Sequence, residues 1–296
     1  MNRHLIIGLE GLALSERERR WLREMPPLGV ILFARNIESP AQVEALLAEV
    51  RACTGRQTWA AIDEEGGRVN RLPWAPFSTR RHAAEFGMLF ERDAEAARQA
   101  VYDDSLEVGL ALSRLGFTHN CAPVLDVFAA GGHAIIGDRA YSGSVEIVAA
   151  LGAACMRGLH DAGIEAVGKH FPGHGRADAD SHLSVPHVHA DLAVLLAEAE
   201  PFLLLGAQGL AHVMTAHVIY EAVDAQVATL SPFWLHDVLR QRFGFTGRIW
   251  SDDLCMKGVG DDVPAASEAA MAAGCDVLLV CHPDGVRAVY RQLGFT

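Results

Sequence analysis

No stretch of this sequence comes near the ~20 consecutive apolar residues that a membrane-spanning helix requires, so no such helix is expected. The apolar run in MNRHLIIGLEG is too short for a signal peptide, and acidic residues follow it closely. The six cysteines (Cys53, Cys121, Cys155, Cys255, Cys275 and Cys281) form no CxxC pair. Most of them sit among apolar neighbours, which reads as free thiols in a reducing compartment. No GxGxxG follows the first apolar run, which counts against a dinucleotide fold, and HExxH is missing. Positive charge is in deficit: 25 Lys and Arg against 37 Asp and Glu leave a formal net charge of −12. That balance argues against nucleic acid or an anionic membrane surface as a partner. No linker, low-complexity tract or repeat is visible. The expectation is one cytoplasmic domain over residues 1–296.

What the sequence does have is apolar material, 50% of its residues, arranged in a repeating order. Short, near-continuous apolar runs at 5–9, 29–33, 58–62, 118–127, 165–171, 211–218, 248–252 and 275–281 read as strands covered on both faces. Between them, segments with helical spacing lie at 15–25, 40–51, 93–115, 145–162, 191–208, 232–243, 264–273 and 284–293. Ser39 before Pro40 and Ser231 before Pro232 are N-terminal caps. About eight alternations of strand and helix predict a parallel sheet closed into a single-domain (β/α)8 TIM-type barrel; an open doubly wound sheet is the alternative.

In such a barrel the reactive side chains gather where strands finish. The strand-end residues here are Asp63, Asp126, Lys169 with His170, His217, Asp252 with Asp253, and His282. Lys169 ends an apolar strand and needs an acidic partner, for which Asp126 is one candidate. The richest segment is KHFPGHGRADADSHLSVPHVH, from Lys169 to His189. Pro172 and Gly173 make it a strand end opening into a long loop, and Asp180 stands two residues before His182. A carboxylate that holds an imidazole fixes its tautomer and suits general acid/base work. Carboxylates interspersed with Lys, Arg and His suit a neutral, hydroxyl-rich ligand, which points to carbohydrate. A metal reading of His170 and His174 fails, because Pro172 and Gly173 keep them off one helix face.

The motifs GVILFARNI (29–37), IDEEGGRVNRL (62–72), APVLDV (122–127), IIGDRAYS (135–142), KHFPGHGRADADSH (169–182), MTAHVIY (214–220) and SDDLCMKG (251–258) follow one another along nearly the whole chain. In this the sequence resembles family 3 glycoside hydrolases, and among them the bacterial cytoplasmic β-N-acetylglucosaminidases of cell-wall recycling. The resemblance implies a retaining hydrolase with Asp252 as nucleophile, His182 as general acid/base and Asp180 orienting and tuning His182. It implies that Asp63, Arg71, Arg139, Lys169 and His170 contact the sugar. Asp253 adjoins Asp252 and is the rival nucleophile. Only one of two successive strand residues should enter the barrel mouth, and the motif favours Asp252. Ala140 and Tyr141 stand where the family commonly has Ser and Phe. The implied enzyme is a monomer without cofactor or metal, acting on N-acetylglucosamine-containing muropeptides. Phosphorolysis by the same site, and β-glucosidase or β-xylosidase specificity, stay open on the sequence.

Overall fold

The computed structural model describes residues 1–55, 57–179 and 185–295. Ten strands are present among them: β1 (Leu5–Gly8), β2 (Gly29–Leu32), β3 (Trp59–Ile62), β4 (His119–Asn120), β5 (Glu165–Phe171), β6 (His187–Val188), β7 (His212–Thr215), β8 (Ile219–Tyr220), β9 (Arg248–Asp253) and β10 (Val277–Val280). Eight of them close into a barrel in the order β1-β10-β9-β7-β5-β4-β3-β2. Every neighbouring pair is parallel. The expected (β/α)8 barrel is therefore the observed one. Because all strands point the same way, the residues at their C-terminal ends share one rim.

Helices α1 (Glu16–Glu24), α2 (Pro40–Thr54), α3 (Ala83–Phe90), α4 (Ala94–Leu115), α5 (Val145–Asp161), α6 (Leu192–Glu198), α7 (Glu200–Ala207), α8 (Val263–Ala273) and α9 (Pro283–Gln292) connect the strands, together with a π-helix over Phe233–Arg242. Local chemistry sets their ends. Ser15 caps α1 in a reciprocal box with Glu18. Ser39 accepts from the Gln42 amide at the start of α2. The long helices α4 and α5 meet so closely that a Cβ on Gly158 would lie 2.5 Å from the Tyr102 carbonyl oxygen.

Two cores result. The barrel interior is filled by Ile6, Ile31, Val167, Met214, Trp250 and Leu279, among others, and a second, larger layer lies between sheet and helices. Each fully buried Leu, Ile or Val there contributes about 1.5–3 kcal/mol relative to exposure. All six cysteines are unpaired. Among the described residues no helix is long and apolar enough to cross a membrane.

Several boundaries differ from the sequence expectation. The helix expected over 191–208 is two helices, because Pro201 enters the first turn of α7 and cannot donate to the preceding turn. The strand expected over 118–127 keeps regular pairing only at His119–Asn120. Pro123 removes a donor, yet the chain stays beside β5, with the Leu125 amide donating to the Lys169 carbonyl at 2.6 Å. Helix α3 and the small parallel β6–β8 sheet were not anticipated.

Candidate active site

The C-terminal rim opens into a cavity of about 300 Å³. Its polar wall starts with the turn after β3. Gly66 and Gly67 both have positive φ, 91° and 54°, and a Cβ at Gly66 would meet the Arg81 carbonyl at 2.6 Å. The sharp reversal that results places Asp63, Glu65, Arg68 and Arg71 on the cavity. From β5 comes Lys169, 2% exposed, with its Nζ 2.7 Å from Asp63 Oδ1 and 2.6 Å from Glu65 Oε1. Arg139 grips Glu65 with two nitrogens, at 2.8 and 2.9 Å. Arg71 Nη2 lies 3.6 Å from Asp63 Oδ2. Charges thus alternate along one wall: Arg71, Asp63, Lys169, Glu65, Arg139.

That alternation decides the protonation states. Burial alone would neutralise Asp63 and Glu65, but Lys169 and Arg71 beside Asp63, and Arg139 and Lys169 beside Glu65, hold both carboxyls below their usual range. Burial opposes the charge of Lys169 too, and the same two carboxylates outweigh it and push the ammonium up. Both partners of each ion pair stay charged at neutral pH, which is the condition under which buried pairs hold their geometry.

Asp126 is fully buried beneath this wall. Its Oδ2 meets His170 Nδ1 at 2.7 Å, and its Oδ1 accepts from the amides of His170 at 3.2 Å and His174 at 2.7 Å. A carboxylate at Nδ1 makes that nitrogen the donor and leaves Nε2 of His170 as the ring nitrogen that Asp126 does not engage. The partner expected for Lys169 was Asp126; its partners are Asp63 and Glu65, and Asp126 belongs to His170. His174 also lines the cavity, and burial, with His170 beside it, lowers its pKa to about 4.

On β9 the two adjacent aspartates both line the cavity but differ in their hydrogen bonds. Oδ1 of Asp253 accepts from the amides of Cys255 and Cys281, each at 3.0 Å, so its carboxylate is tied into the chain. Asp252 lines the cavity and accepts only the Asp253 amide, at 2.7 Å, among the described residues. Burial raises the Asp252 pKa, but His217, His170, the Asp253 amide and Lys169 outweigh it and keep the carboxyl below its usual range. His217 lies behind β9, held between Thr229 Oγ1 at 2.7 Å and the Asp253 carbonyl at 3.0 Å. The remaining wall is apolar, with Ile31, Phe33, Ile135, Ile136, Met214 and Met256.

Of the residues picked out by sequence, Asp63, Arg71, Arg139, Lys169, His170, Asp252 and its rival Asp253 come together in this cavity, so both aspartates line it where only one was expected to. Asp126 and His217 sit behind it. His282 is apart, capping the Asp284 amide at the start of α9. Asp180 and His182 lie outside the described residues. The chain on either side of them is drawn together, since Asp178 Oδ1 accepts from the His187 amide at 2.8 Å. Glu65 escaped the sequence reading, although DEEGGR contains it; nothing in one dimension says that it bridges Lys169 and Arg139. Among the described residues no group of three His, Cys, Asp or Glu side chains could hold a metal ion.

The glycosyl hydrolase family 3 N-terminal domain matches residues 6–293. The chain belongs to this family. Its relatives in family 3 include a β-hexosaminidase of Thioalkalivibrio sulfidiphilus, 42% identical over 292 residues that cover 98% of this chain and 84% of that protein. A β-hexosaminidase of Alkalilimnicola ehrlichii is 41% identical over 293 residues, again 98% and 84%. Among solved structures, NagZ from Neisseria gonorrhoeae in complex with N-trifluoroacetyl-D-glucosamine superimposes with a TM-score of 0.90 at 37% identity, over 99% of this chain and 85% of that one. A family 3 β-N-acetylglucosaminidase from a Paenibacillus species gives 0.90 at 34% identity, over 99% of this chain and 56% of that one. This family 3 member is a glycoside hydrolase.

Proposed function

We propose that the protein is a retaining exo-β-N-acetylglucosaminidase, a β-hexosaminidase that releases terminal N-acetylglucosamine from muropeptides. The observation that carries the reading is the meeting, in one cavity, of a carboxylate with no side-chain partner among the described residues, Asp252, and a wall of charged donors and acceptors set to grip hydroxyls. The β-hexosaminidase relatives over nearly the whole chain support it.

In this reading Asp63 accepts from sugar hydroxyls, while Arg71, Arg139, Lys169 and His170 Nε2 bind its oxygens or hydroxyls. Asp252 attacks the anomeric carbon as the glycosidic bond breaks, and forms a covalent glycosyl-enzyme. An ionised carboxylate is the reactive form, and the charges around Asp252 favour it. His182, as imidazolium, gives its proton to the departing oxygen. The neutral imidazole then takes a proton from water, which attacks the same carbon and frees Asp252. Two inversions give net retention. Asp180 orients His182 and raises its pKa enough to keep the acid form populated. No cofactor enters. We further propose a monomeric, single-domain enzyme of the cytoplasm, engaged in peptidoglycan recycling.

A panel of aryl β-glycosides, assayed with and without inorganic phosphate, tests this. The N-acetylglucosaminide is expected to be the best substrate, with free sugar of retained configuration as product whether or not phosphate is present. Preference for the glucoside or xyloside, or phosphate-dependent release of a sugar 1-phosphate, overturns it.

A further inference from the structure

The turn that carries Asp63, Glu65 and Arg71 is braced from beneath by a residue that does not face the cavity. Glu64 is fully buried. Its amide donates to Asn120 Oδ1 at 3.0 Å, and its carbonyl accepts from Asn120 Nδ2 and from Arg80 Nη1, each at 2.9 Å. Its carboxyl spans the base of the turn: Oε2 accepts the Arg71 amide at 2.9 Å. Oε1 is buried without a hydrogen bond, 3.6 Å from Arg80 Nη1. Arg80 is itself anchored to Asp104 of α4 at 2.8 Å. One side chain therefore links the residue after Asp63 to the backbone of Arg71, the two ends of the turn. A buried carboxyl with one oxygen unsatisfied is held at a cost, and nothing in the hydrolytic steps above uses it.

We propose that Glu64 is a positioning residue whose charge state sets how firmly the turn presents Asp63 and Arg71 to the sugar. Ionised, it makes a charge-assisted bond to the Arg71 amide and pairs with Arg80, and the turn is tight. Protonated, that bond weakens, Oε1 becomes a buried donor without a partner, and the turn loosens. The inference rests on the reading that Asp63 and Arg71 contact the sugar.

The surroundings permit such a switch near neutral pH. Burial pushes the Glu64 carboxyl up to about 7; the Arg71 and Leu72 amides and the Arg80 and Arg71 charges offset it only in part. Asp104 from α4 and Cys155 from α5 act on Glu64 through Arg80. The flanking carboxyls Asp63 and Glu65 are held low, and Lys169 and Arg139 high, so the wall itself keeps its charges across this range. The folded state binds the Glu64 proton more tightly than the unfolded chain does. Its contribution to stability is therefore full at low pH and is lost as pH rises from about 4.5 through about 7.

The test is the affinity for N-acetylglucosamine, measured by calorimetry from pH 6 to 8 on the wild-type protein and on Glu64→Gln. Wild type is expected to bind roughly fivefold tighter at pH 8 than at pH 6, the ratio expected for a charged rather than a neutral acceptor. Glu64→Gln, which keeps an acceptor oxygen, is expected to show a flat profile and to gain in Tm over wild type at pH 8 but not at pH 5. A flat wild-type profile, or an unchanged pH dependence in Glu64→Gln, overturns the inference. Should the variant fail to fold, a flat wild-type profile or a transition far from pH 7 still excludes Glu64. A wild type that binds no N-acetylglucosamine at any pH removes the proposed sugar site, and this inference with it.

Discussion

Lys169 and Asp63 are 106 residues apart in the chain, and the ammonium of one lies 2.7 Å from the carboxylate of the other at the barrel mouth. Lys169 is one of only two lysines in the sequence, the other being Lys257. It is the central cation of a wall in which each charge is satisfied by its neighbours.

Removing that cation should cost both stability and binding. Lys169→Met leaves Asp63 and Glu65 buried with less positive charge than they need, a loss of about 3–5 kcal/mol for a buried pair broken on one side. Thermal denaturation should show a clear fall in Tm at pH 7. The value of kcat/KM on an aryl N-acetylglucosaminide should fall by about 100-fold or more. A variant with wild-type Tm would mean that the wall does not depend on Lys169.

Asp252 and Asp253 should separate cleanly. Asp252→Ala should abolish hydrolysis of an aryl N-acetylglucosaminide, a loss of roughly 10³-fold or more, with Tm little changed. Asp253→Ala frees the Cys255 and Cys281 amides, so its main effect should be on Tm, by about 1–3 kcal/mol of stability. Substantial turnover by Asp252→Ala would take it out of the nucleophile's role.

His182→Ala should discriminate between leaving groups. Substrates whose departing oxygen needs a proton should lose far more rate than activated aryl glycosides, because only the former depend on a general acid. Equal losses on both would remove His182 from that role.

The opposite end of the barrel should govern acid stability. Trp59, His119, His212 and Trp250 pack together at the N-terminal ends of the strands, with Trp250 Nε1 donating to His212 Nδ1 at 3.1 Å. Burial pulls the pKa of His119 down to about 3 and that of His212 to about 4. Between pH 6.5 and these values the unfolded chain binds the protons and the folded one does not. Stability is therefore full above pH 6.5 and falls as pH drops towards 4, by about 2 kcal/mol per histidine at pH 5. Tm followed by tryptophan fluorescence should decline from pH 7 to pH 5, and the decline should be smaller in His212→Gln. An equal decline in that variant would rule His212 out as a source.

The barrel was legible because its signal is periodic. Eight apolar runs separated by helical segments need only composition and spacing, and a parallel strand buried on both faces cannot hide in a sequence. The helix cap at Ser39 was equally local. The reading slipped at Pro201 and Pro123, where one missing amide breaks an otherwise continuous pattern and the boundary depends on what packs nearby.

The site divides along the same line. The sequence by itself determined which strands would end in charge, and it placed Asp63, Lys169, His170 and Asp252 on one rim, since parallel strands finish together. Only the tertiary structure decided that Glu65 bridges Lys169 and Arg139, that Asp126 serves His170, and that of the two aspartates lining the cavity Asp253 is the one tied to the Cys255 and Cys281 amides. Pairing between charges is set by distance through space, and strands distant in sequence become neighbours only when the barrel closes.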